Sequence, residues 1–369
     1  MEGQARAMGS QGKRLIALPL FGIGDVLMTT PALRNISERT DASLTYIHMF
    51  NPTMQVLQGN PHVAENIHFP FIDAGRLASM RFLLSMRGRF HASINFYPSN
   101  RRDYTLAAFV VGCPERIGHR YLRKDLAELN FLKNRTVKED DSLHNVQESL
   151  RLLKFLGIDD PKPYPMEMFL SPEEKSRAAG WIRERGLEGR TLVGVHPGTS
   201  SFKDQYKRRW PAGRFASFMR EAASAYPDIT FVLFGGPEEA ALRQEIMGGA
   251  ALGARGAVSA ETSSIRDSIS LIGECSYFVS NDSGLMHAAA AMQVPTVAIF
   301  GPTDPAYVRP WKCRHRVVRK SGGCGPCFRY TPAPLKCAKG GLFPCVQDIE
   351  AADVLGALAS LMAGESDQA

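Results

Sequence analysis

Between Val279 and Ala291 the sequence reads VSNDSGLMHAAAA, a pattern that predicts a buried strand followed at once by a helix. Ser283 and Gly284 would lie at the amino end of that helix, where unpaired N–H groups and partial positive charge favour a pyrophosphate. His287 would lie one turn further on, either as a ligand contact or as a structural histidine. The candidate phosphate contacts of this stretch are Asp282, Ser283, Gly284, Leu285 and His287.

Outward from this stretch, apolar strand-like runs alternate with amphipathic helical runs, which predicts an α/β fold with parallel sheets. The 369 residues exceed what one core usually spans, so we expect two domains. Three prolines between residues 158 and 165 mark the clearest break. We place an N-terminal domain at 1–166 and a C-terminal domain at 167–346, with a final helix inside 347–363. Single helices are predicted over 26–36, bent at Pro31, and over 142–156.

Two earlier loops follow predicted strands and carry groups suited to a charged ligand. The first contains Gly22, Gly24 and Asp25, and its glycines allow close backbone approach. Asp25 either caps the next helix or faces the cleft between the two domains as a general base. The second runs from His196 to Pro211. Its hydroxyls and cations suit phosphate oxygens, although a solvated basic loop has the same composition. The phosphate candidates of the second loop are Thr199, Ser200, Lys207 and Arg208.

A third loop contains two glycines and an acidic pair, Glu238 and Glu239, directly after a predicted strand. Glutamates at this position accept hydrogen bonds from ribose hydroxyls, or they complement the dipole of the helix that follows. The sequence leaves both interpretations open, and it does not decide between the two glutamates.

Four of the seven cysteines, Cys324, Cys327, Cys337 and Cys345, fall in one segment rich in glycine and proline. Four thiolates at this spacing predict a tetrahedral site for zinc or iron, with free thiols or a redox pair as alternatives. A closed four-thiolate site has no open coordination position, so we expect a structural knuckle over 324–345 rather than a catalytic metal.

The net charge of +7, from 44 basic and 37 acidic residues, suits an acidic ligand, a nucleic acid or an anionic membrane surface without choosing among them. Nothing in the sequence resembles a signal peptide or a spanning segment, so we expect a cytoplasmic protein. Basic residues such as Arg101 and Arg102 have two interpretations: they bind an acidic acceptor at the inner membrane, or they only keep the protein soluble.

Taken in order, these loops resemble the ADP-heptose:lipopolysaccharide heptosyltransferases, glycosyltransferase family 9. The resemblance covers roughly residues 14 to 350. The matching motifs are Gly22–Val26 with Pro31–Leu33, His196–Ser200 with Arg209–Pro211, Phe234–Pro237, and Asn281–His287 with Phe300–Pro305. The last pair is the most specific. The family pattern has lysine two residues before the tryptophan, where this chain has Arg208 beside Lys207.

The resemblance implies a GT-B fold, in which two Rossmann-like domains face each other across a cleft and the final helix packs back on the first domain. It also implies inverting transfer from a nucleotide-sugar donor to a lipid-linked or polymeric glycan, or to a protein, without a catalytic metal. Asp25 then matches the catalytic carboxylate, and Glu238 or Glu239 matches a ribose-binding position. Some relatives carry cysteine clusters that bind iron.

Two other functions remain possible from the sequence. A nucleotide-sugar epimerase of the same fold would share the diphosphate site but need no second acceptor. A non-enzymatic nucleic-acid-binding protein would use the cysteine knuckle and the basic surface, although few aromatic residues accompany the basic runs. We therefore expect no nucleic acid partner.

Overall fold

The chain forms two parallel six-stranded sheets in a computed structural model, which describes residues 12–121, 126–200, 202–320, 324–328, 334–341 and 343–367. The first sheet has the order β3-β2-β1-β4-β5-β6 and the second has the order β12-β11-β10-β7-β8-β9. Numbered within each half, both orders are 3-2-1-4-5-6, the doubly wound arrangement of Rossmann-like folds. The predicted α/β class and GT-B architecture are therefore confirmed.

The strands of the first sheet are β1 Arg14–Ala17, β2 Ser43–His48, β3 Glu65–His68, β4 Ala92–Ile94, β5 Glu115–Arg120 and β6 Arg135–Lys138. Those of the second are β7 Thr191–His196, β8 Ile229–Leu233, β9 Ala257–Ser259, β10 Tyr277–Asn281, β11 Thr296–Phe300 and β12 His315–Arg319. Central strands such as β1 and β10 are almost wholly buried, which explains their apolar composition.

The helices of the first half are α1 Ile23–Leu27, α2 Thr30–Arg39, α3 Asn51–Leu57, α4 Gly75–Ser85, α5 Arg102–Val111 and α6 Asn145–Arg151. The second half has α7 Pro172–Glu184, α8 Ala212–Ala225, α9 Ala240–Ala250, α10 Gly253–Gly256, α11 Ile265–Gly273, α12 Gly284–Ala291, α13 Pro305–Val308, α14 Pro344–Gln347 and α15 Ala351–Met362. Single 3-10 turns or short 3-10 helices lie at Asn130–Leu132, Leu152–Leu156, Phe202–Arg208 and Pro237–Glu239.

The single helix expected over 26–36 is wrong, because the chain turns between α1 and α2. The hydroxyl of Thr29 donates to the carbonyl of Val26, and the hydroxyl of Thr30 donates to the carbonyl of Leu27, each at 2.7 Å. Pro31 lies in the first turn of α2, where backbone N–H groups have no partner within the helix, so its missing N–H costs no hydrogen bond. The proline therefore starts a helix instead of bending one.

The helix expected over 142–156 is shorter and divided. His144 caps α6 by accepting a hydrogen bond from the N–H of Val146 at 3.2 Å, and a 3-10 helix continues the chain to Leu156. Gly157 then ends the segment with a φ of 81°, the left-handed conformation that favours glycine.

The final helix packs on the second half, which corrects the expectation that it returns to the first domain. Helix α15 contacts α8, β11 and β12, and its residues Val354, Leu358 and Leu361 are fully buried in the core of the second sheet. The indole N–H of Trp210 also donates to the carbonyl of Ile349 at 2.9 Å, so the approach to α15 is held against the same half.

Apolar contacts join the two halves. One buried cluster contains Leu15 and Val26 from the first half together with Leu285, Met286 and Ala288 from the second. Helix α1 packs against α12, which places the amino ends of two helices side by side. None of the described helices combines the length and apolar character needed to cross a membrane.

Candidate active site

A cavity of about 560 Å³ lies between the halves, at the carboxyl ends of β1 and β10. Those strands stand at the points where the strand order reverses in each sheet, the usual ligand site of a doubly wound fold. The first half contributes Phe21, Gly22, Ile23, Gly24, Asp25, Met28, Asn100 and Arg101. The second contributes Ser200, Phe202, Gln205, Arg208, Asp282, Ser283, Gly284, His287, Thr303, Val308, Cys327, Phe328, Pro334, Leu335 and Lys336.

Gly24 lets the two halves meet at this cavity. A Cβ atom at this position would lie 2.4 Å from Cδ2 of His287, closer than non-bonded carbons approach. The absence of a side chain therefore brings the backbone of α1 directly onto α12. This contact puts Asp25 and the amino end of α12 on the same cavity.

The Asp25 carboxylate is held by its own loop and is partly buried in the cavity wall. One of its oxygens accepts a hydrogen bond from the N–H of Gly22 at 3.1 Å. Burial raises the pKa of Asp25 to about 6; the Gly22 hydrogen bond opposes that rise, the charge of Asp282 adds to it, and Arg208 opposes it. A carboxyl group with a pKa near neutrality is well matched to proton abstraction.

Arg208 is the buried cation of the cavity. Its guanidinium donates to the Asp282 carboxylate at 2.5 Å, to the Thr303 hydroxyl at 3.2 Å and to the side-chain oxygen of Gln205 at 2.7 Å. The ring of Phe328 lies 4.9 Å from the guanidinium carbon. The Asp282 carboxylate therefore holds the Arg208 guanidinium at the place where the sequence predicted phosphate contacts.

Ser283 is the N-cap of α12, because its hydroxyl oxygen accepts from the N–H of Met286 at 3.4 Å. His196, at the end of β7, hydrogen-bonds to the same hydroxyl at 2.9 Å and to Glu239 at 3.3 Å. The amino end of α12 is thus braced from the neighbouring strand, and Gly284 lines the cavity beside it.

Glu239 is buried behind the cavity rather than in its wall. Burial opposes its ionisation, but the hydrogen bond and charge of His196, together with Arg209, lower the pKa of the carboxyl group. A Cβ at Gly198 would lie 1.7 Å from a Glu239 oxygen, so glycine is required there. Glu238 is exposed, and neither glutamate belongs to the cavity lining, so the ribose contact stays a prediction.

Three further predicted contacts lie outside the cavity lining. The Thr199 hydroxyl donates to the carbonyl of Gln205 at 3.0 Å, and Lys207 is paired with Asp204 at 2.8 Å. Leu285 is buried in the apolar cluster between the halves. Ser200 does line the cavity, and Arg208 is placed there instead of its neighbour Lys207.

His287 lies in the cavity wall as a buried imidazole. The pKa of His287 is lowered to about 4, chiefly by burial; Asp282 opposes this shift and Arg208 adds to it. The ring is therefore neutral near pH 7. Its Nδ1 atom is buried and has no hydrogen-bond partner within the described parts of the chain.

The cysteine-bearing segment forms another wall of the cavity. The backbone N–H groups of Cys327 and Phe328 both donate to the carbonyl of Pro302 at 2.9 Å, so this segment is attached to the loop after β11. The sequence did not single out Phe328, Gln205 or Thr303, because their roles depend on contacts with Arg208 across the fold. Thr303 did carry a signal, since it follows a strand inside the quoted Phe300–Pro305 motif.

The four cysteines of the predicted knuckle are free thiols that share one region. Burial, with a smaller contribution from the nearby Cys324, Cys327 and Cys337, raises the pKa of the Cys345 thiol to about 11. Within the described ranges, no three His, Cys, Asp or Glu side chains converge as a metal-binding group. The donor types fit zinc or iron, and the metal itself stays a prediction.

Two Rossmann-like halves with a carboxylate facing a cationic helix end define the architecture of a GT-B glycosyltransferase. The family model of glycosyltransferase family 9 (heptosyltransferase) matches residues 104–338. The chain belongs to this family and is a glycosyltransferase, which decides against the epimerase and nucleic-acid-binding alternatives.

Curated relatives agree with this assignment, and the solved structures share the fold. Lipopolysaccharide heptosyltransferase 2 of Escherichia coli K12 is 27% identical over 312 residues, covering 80% of this chain and 85% of the relative. The structure of E. coli ADP-heptose LPS heptosyltransferase II has a TM-score of 0.72 at 22% identity, covering 95% and 99% of the two chains. The iron-containing dodecameric glycosyltransferase TibC of enterotoxigenic E. coli has a TM-score of 0.57 at 16% identity, covering 96% of this chain and 77% of TibC.

Proposed function

We propose that this chain transfers a heptose from ADP-heptose to a hydroxyl of a lipopolysaccharide-core acceptor, with inversion at the anomeric carbon. The observation that carries the proposal is the single cavity shared by Asp25 and by the Arg208–Ser283 region. The relatives are lipooligosaccharide and lipopolysaccharide heptosyltransferases, which supports heptose as the sugar and lipopolysaccharide as the acceptor. The first half, 1–166, would hold the acceptor, and the second, 167–346, would hold the donor.

In the proposed reaction the acceptor oxygen attacks the anomeric carbon as the bond from that carbon to the diphosphate oxygen breaks. Asp25 accepts the proton of the acceptor hydroxyl. The departing diphosphate gains negative charge, which Arg208, the Ser200 hydroxyl and the amino end of α12 would stabilise. Family resemblance also implies that no catalytic metal takes part.

His287 supports the proposed donor site through its unpartnered Nδ1 atom. A buried polar atom without a partner is costly, and a donor phosphate or sugar hydroxyl beside it would remove that cost. Glu239 and Glu238 are retained as candidates for the ribose hydroxyls. Glu238 is exposed, whereas Glu239 would have to be reached past the Gly198 backbone that lies against it.

Release of ADP is the direct test of this proposal. We expect ADP to form from ADP-heptose only when a lipopolysaccharide-core acceptor is supplied, and the new glycosidic bond to have the inverted configuration by NMR. An epimerase would instead convert the sugar nucleotide without an acceptor. Acceptor-independent sugar conversion, or retention of configuration, would contradict the proposal.

We also propose that Cys324, Cys327, Cys337 and Cys345 hold one structural zinc or iron ion. The thiolate donor set suits either metal, and the TibC structure is described as iron-containing. Elemental analysis of anaerobically purified protein should give about one ion per chain. A variant with all four cysteines replaced by serine should give none. Equal metal content in both proteins would contradict the assignment.

The acceptor proposed here is lipid-linked, so we propose that the enzyme works at the cytoplasmic face of the inner membrane as a peripheral protein. The net charge of +7 supports contact with an anionic surface. Sedimentation with membranes at low salt and release at high salt would be the expected behaviour.

A further inference from the structure

Most of the exposed large apolar side chains of the described chain lie on the first half. Eight of the ten fall between residues 72 and 131, and the remaining two are Phe202 and Tyr206. The eight are Ile72, Leu77, Met80, Leu84, Leu106, Phe109, Leu126 and Phe131. Helix α4 contacts α5, and α5 contacts the 3-10 helix Asn130–Leu132, so six of the eight lie on neighbouring elements.

The outer face of α4 is apolar where a surface helix is normally polar. Leu77, Met80 and Leu84 follow the i, i+3, i+7 spacing of one helix face and are 77%, 45% and 46% exposed. The opposite face is also apolar, since Leu83 packs with α5 in the core under the first sheet. Core packing therefore does not account for the exposed Leu77 and Leu84.

The same surface is strongly basic. From residue 74 to residue 102 the sequence has six arginines and no aspartate or glutamate, and the exposed Asp73 and Asp103 border this stretch, so the surface keeps a net positive charge. Arg76 and Arg81 on α4 are exposed, and within the described chain they have no ion pair. On α5, Arg102 lies one turn from Leu106 and shares a face with Leu106 and Phe109.

We propose that this α4–α5 surface, defined by Arg76, Leu77, Met80, Arg81, Leu84, Arg102, Leu106 and Phe109, docks on an anionic lipid bilayer. Apolar side chains flanked by arginines suit insertion between acidic headgroups. A second copy of this chain is disfavoured as the occupant, because a symmetric contact would set arginines against arginines.

The α4–α5 surface is continuous with the cavity. Arg101 lines the first-half wall of the cavity, and α5 begins at the next residue. Docking by this surface would bring the acceptor side of the cleft to the headgroup region. The inference rests on the proposed function only in that a lipid-linked acceptor explains why such docking is useful.

Vesicle flotation tests the surface directly. We expect the intact chain to bind vesicles containing phosphatidylglycerol at least tenfold more tightly than vesicles of phosphatidylcholine alone. The double variant R76E/R81E should lose tenfold or more, since each arginine near an anionic surface changes binding about fivefold. The variant L77S/L84S should weaken binding several-fold at both low and high salt.

The matched control is R183E/R255E, which makes the same change in charge at exposed positions of the second half. It should stay within twofold of the unmodified chain. Binding of ADP and transfer to a delipidated acceptor should be unchanged in all variants, so a failure of the proposed function is read separately. Equal binding to neutral and anionic vesicles, or equal losses in the control, would overturn the proposal. The proposal would also be overturned if the intact chain bound no vesicles and instead formed a dimer that L77S/L84S abolishes.

Discussion

The Asp25 carboxyl receives one backbone hydrogen bond and is partly buried in the cavity wall, and these two effects oppose each other in setting its pKa. The result, a pKa of about 6, leaves the group ionised at neutral pH yet basic enough to accept a proton. Sequence reasoning located Asp25 from the glycine loop and the resemblance. It did not reveal the raised pKa, which depends on burial against α12.

The transfer rate should follow ionisation of Asp25. Because the protonated carboxyl cannot accept a proton, the rate constant under donor saturation should rise with pH and level off above about pH 6. Initial rates measured across that range provide the check, with ADP affinity measured in parallel as the control. A rate that is already constant well below pH 5 would contradict the assignment.

Asp25→Asn should stabilise the fold at neutral pH. The pKa of Asp25 is raised from 3.8 to about 6, so the folded state binds more protons than the unfolded state between these values. Stability is therefore lost as pH rises through that window. Removing the charge should recover about 1–3 kcal/mol at pH 7 and nearly nothing near pH 4. Urea unfolding at both pH values measures this, and equal gains at both would contradict it.

Arg208 and Lys207 provide a matched pair for the phosphate role. Arg208→Ala should weaken ADP binding about 10- to 100-fold, because it removes charged hydrogen bonds and leaves Asp282 without its cation. Lys207→Ala should change ADP affinity less than threefold, since Lys207 is paired with Asp204 outside the cavity lining. Calorimetric titration distinguishes them. A larger loss of ADP affinity in Lys207→Ala than in Arg208→Ala would assign the phosphate contact to Lys207 instead.

At the scale of elements, the sequence predicted the strands that position the site and missed several at the sheet edges. The apolar runs 277–280 and 296–300 each predict a strand. They form β10, to within one residue, and β11, with the same bounds, because both runs are buried on both faces. Strand β6 at one edge, with the sequence RTVK, carries too little apolar signal to be recognised. The break between α1 and α2 was missed because it depends on threonine hydroxyl bonds to the backbone.

The contact between α1 and α12 gives a prediction at this scale. Gly24→Ala should lower the free energy of unfolding by about 1–3 kcal/mol, because the new methyl group overlaps His287. Gly180→Ala, in the middle of α7 with no atom near the added methyl group, should raise it by about 0.5–1 kcal/mol. Chemical denaturation measures both. A Gly24→Ala protein as stable as the Gly180→Ala protein would show that the helices do not meet this closely.

At the scale of the whole molecule, two halves with the same strand order share a core and a cavity. The alternating pattern predicted the two α/β halves, and the family resemblance predicted that they face each other across a cleft. It was not enough to place α15, because an amphipathic helix can cover either sheet and only tertiary contacts decide which. Long-range pairs such as His196 with Glu239 were missed for the same reason.

The central claim is that Asp25 acts as the base beside a donor site built by the other half. The most direct measurement compares transfer rate and donor affinity in Asp25→Asn, with Asp73→Asn at an exposed position as control. We predict a rate loss of about 10²- to 10⁴-fold with donor affinity changed less than threefold, and no change in the control. An Asp25→Asn protein that keeps more than a tenth of the rate would contradict the claim.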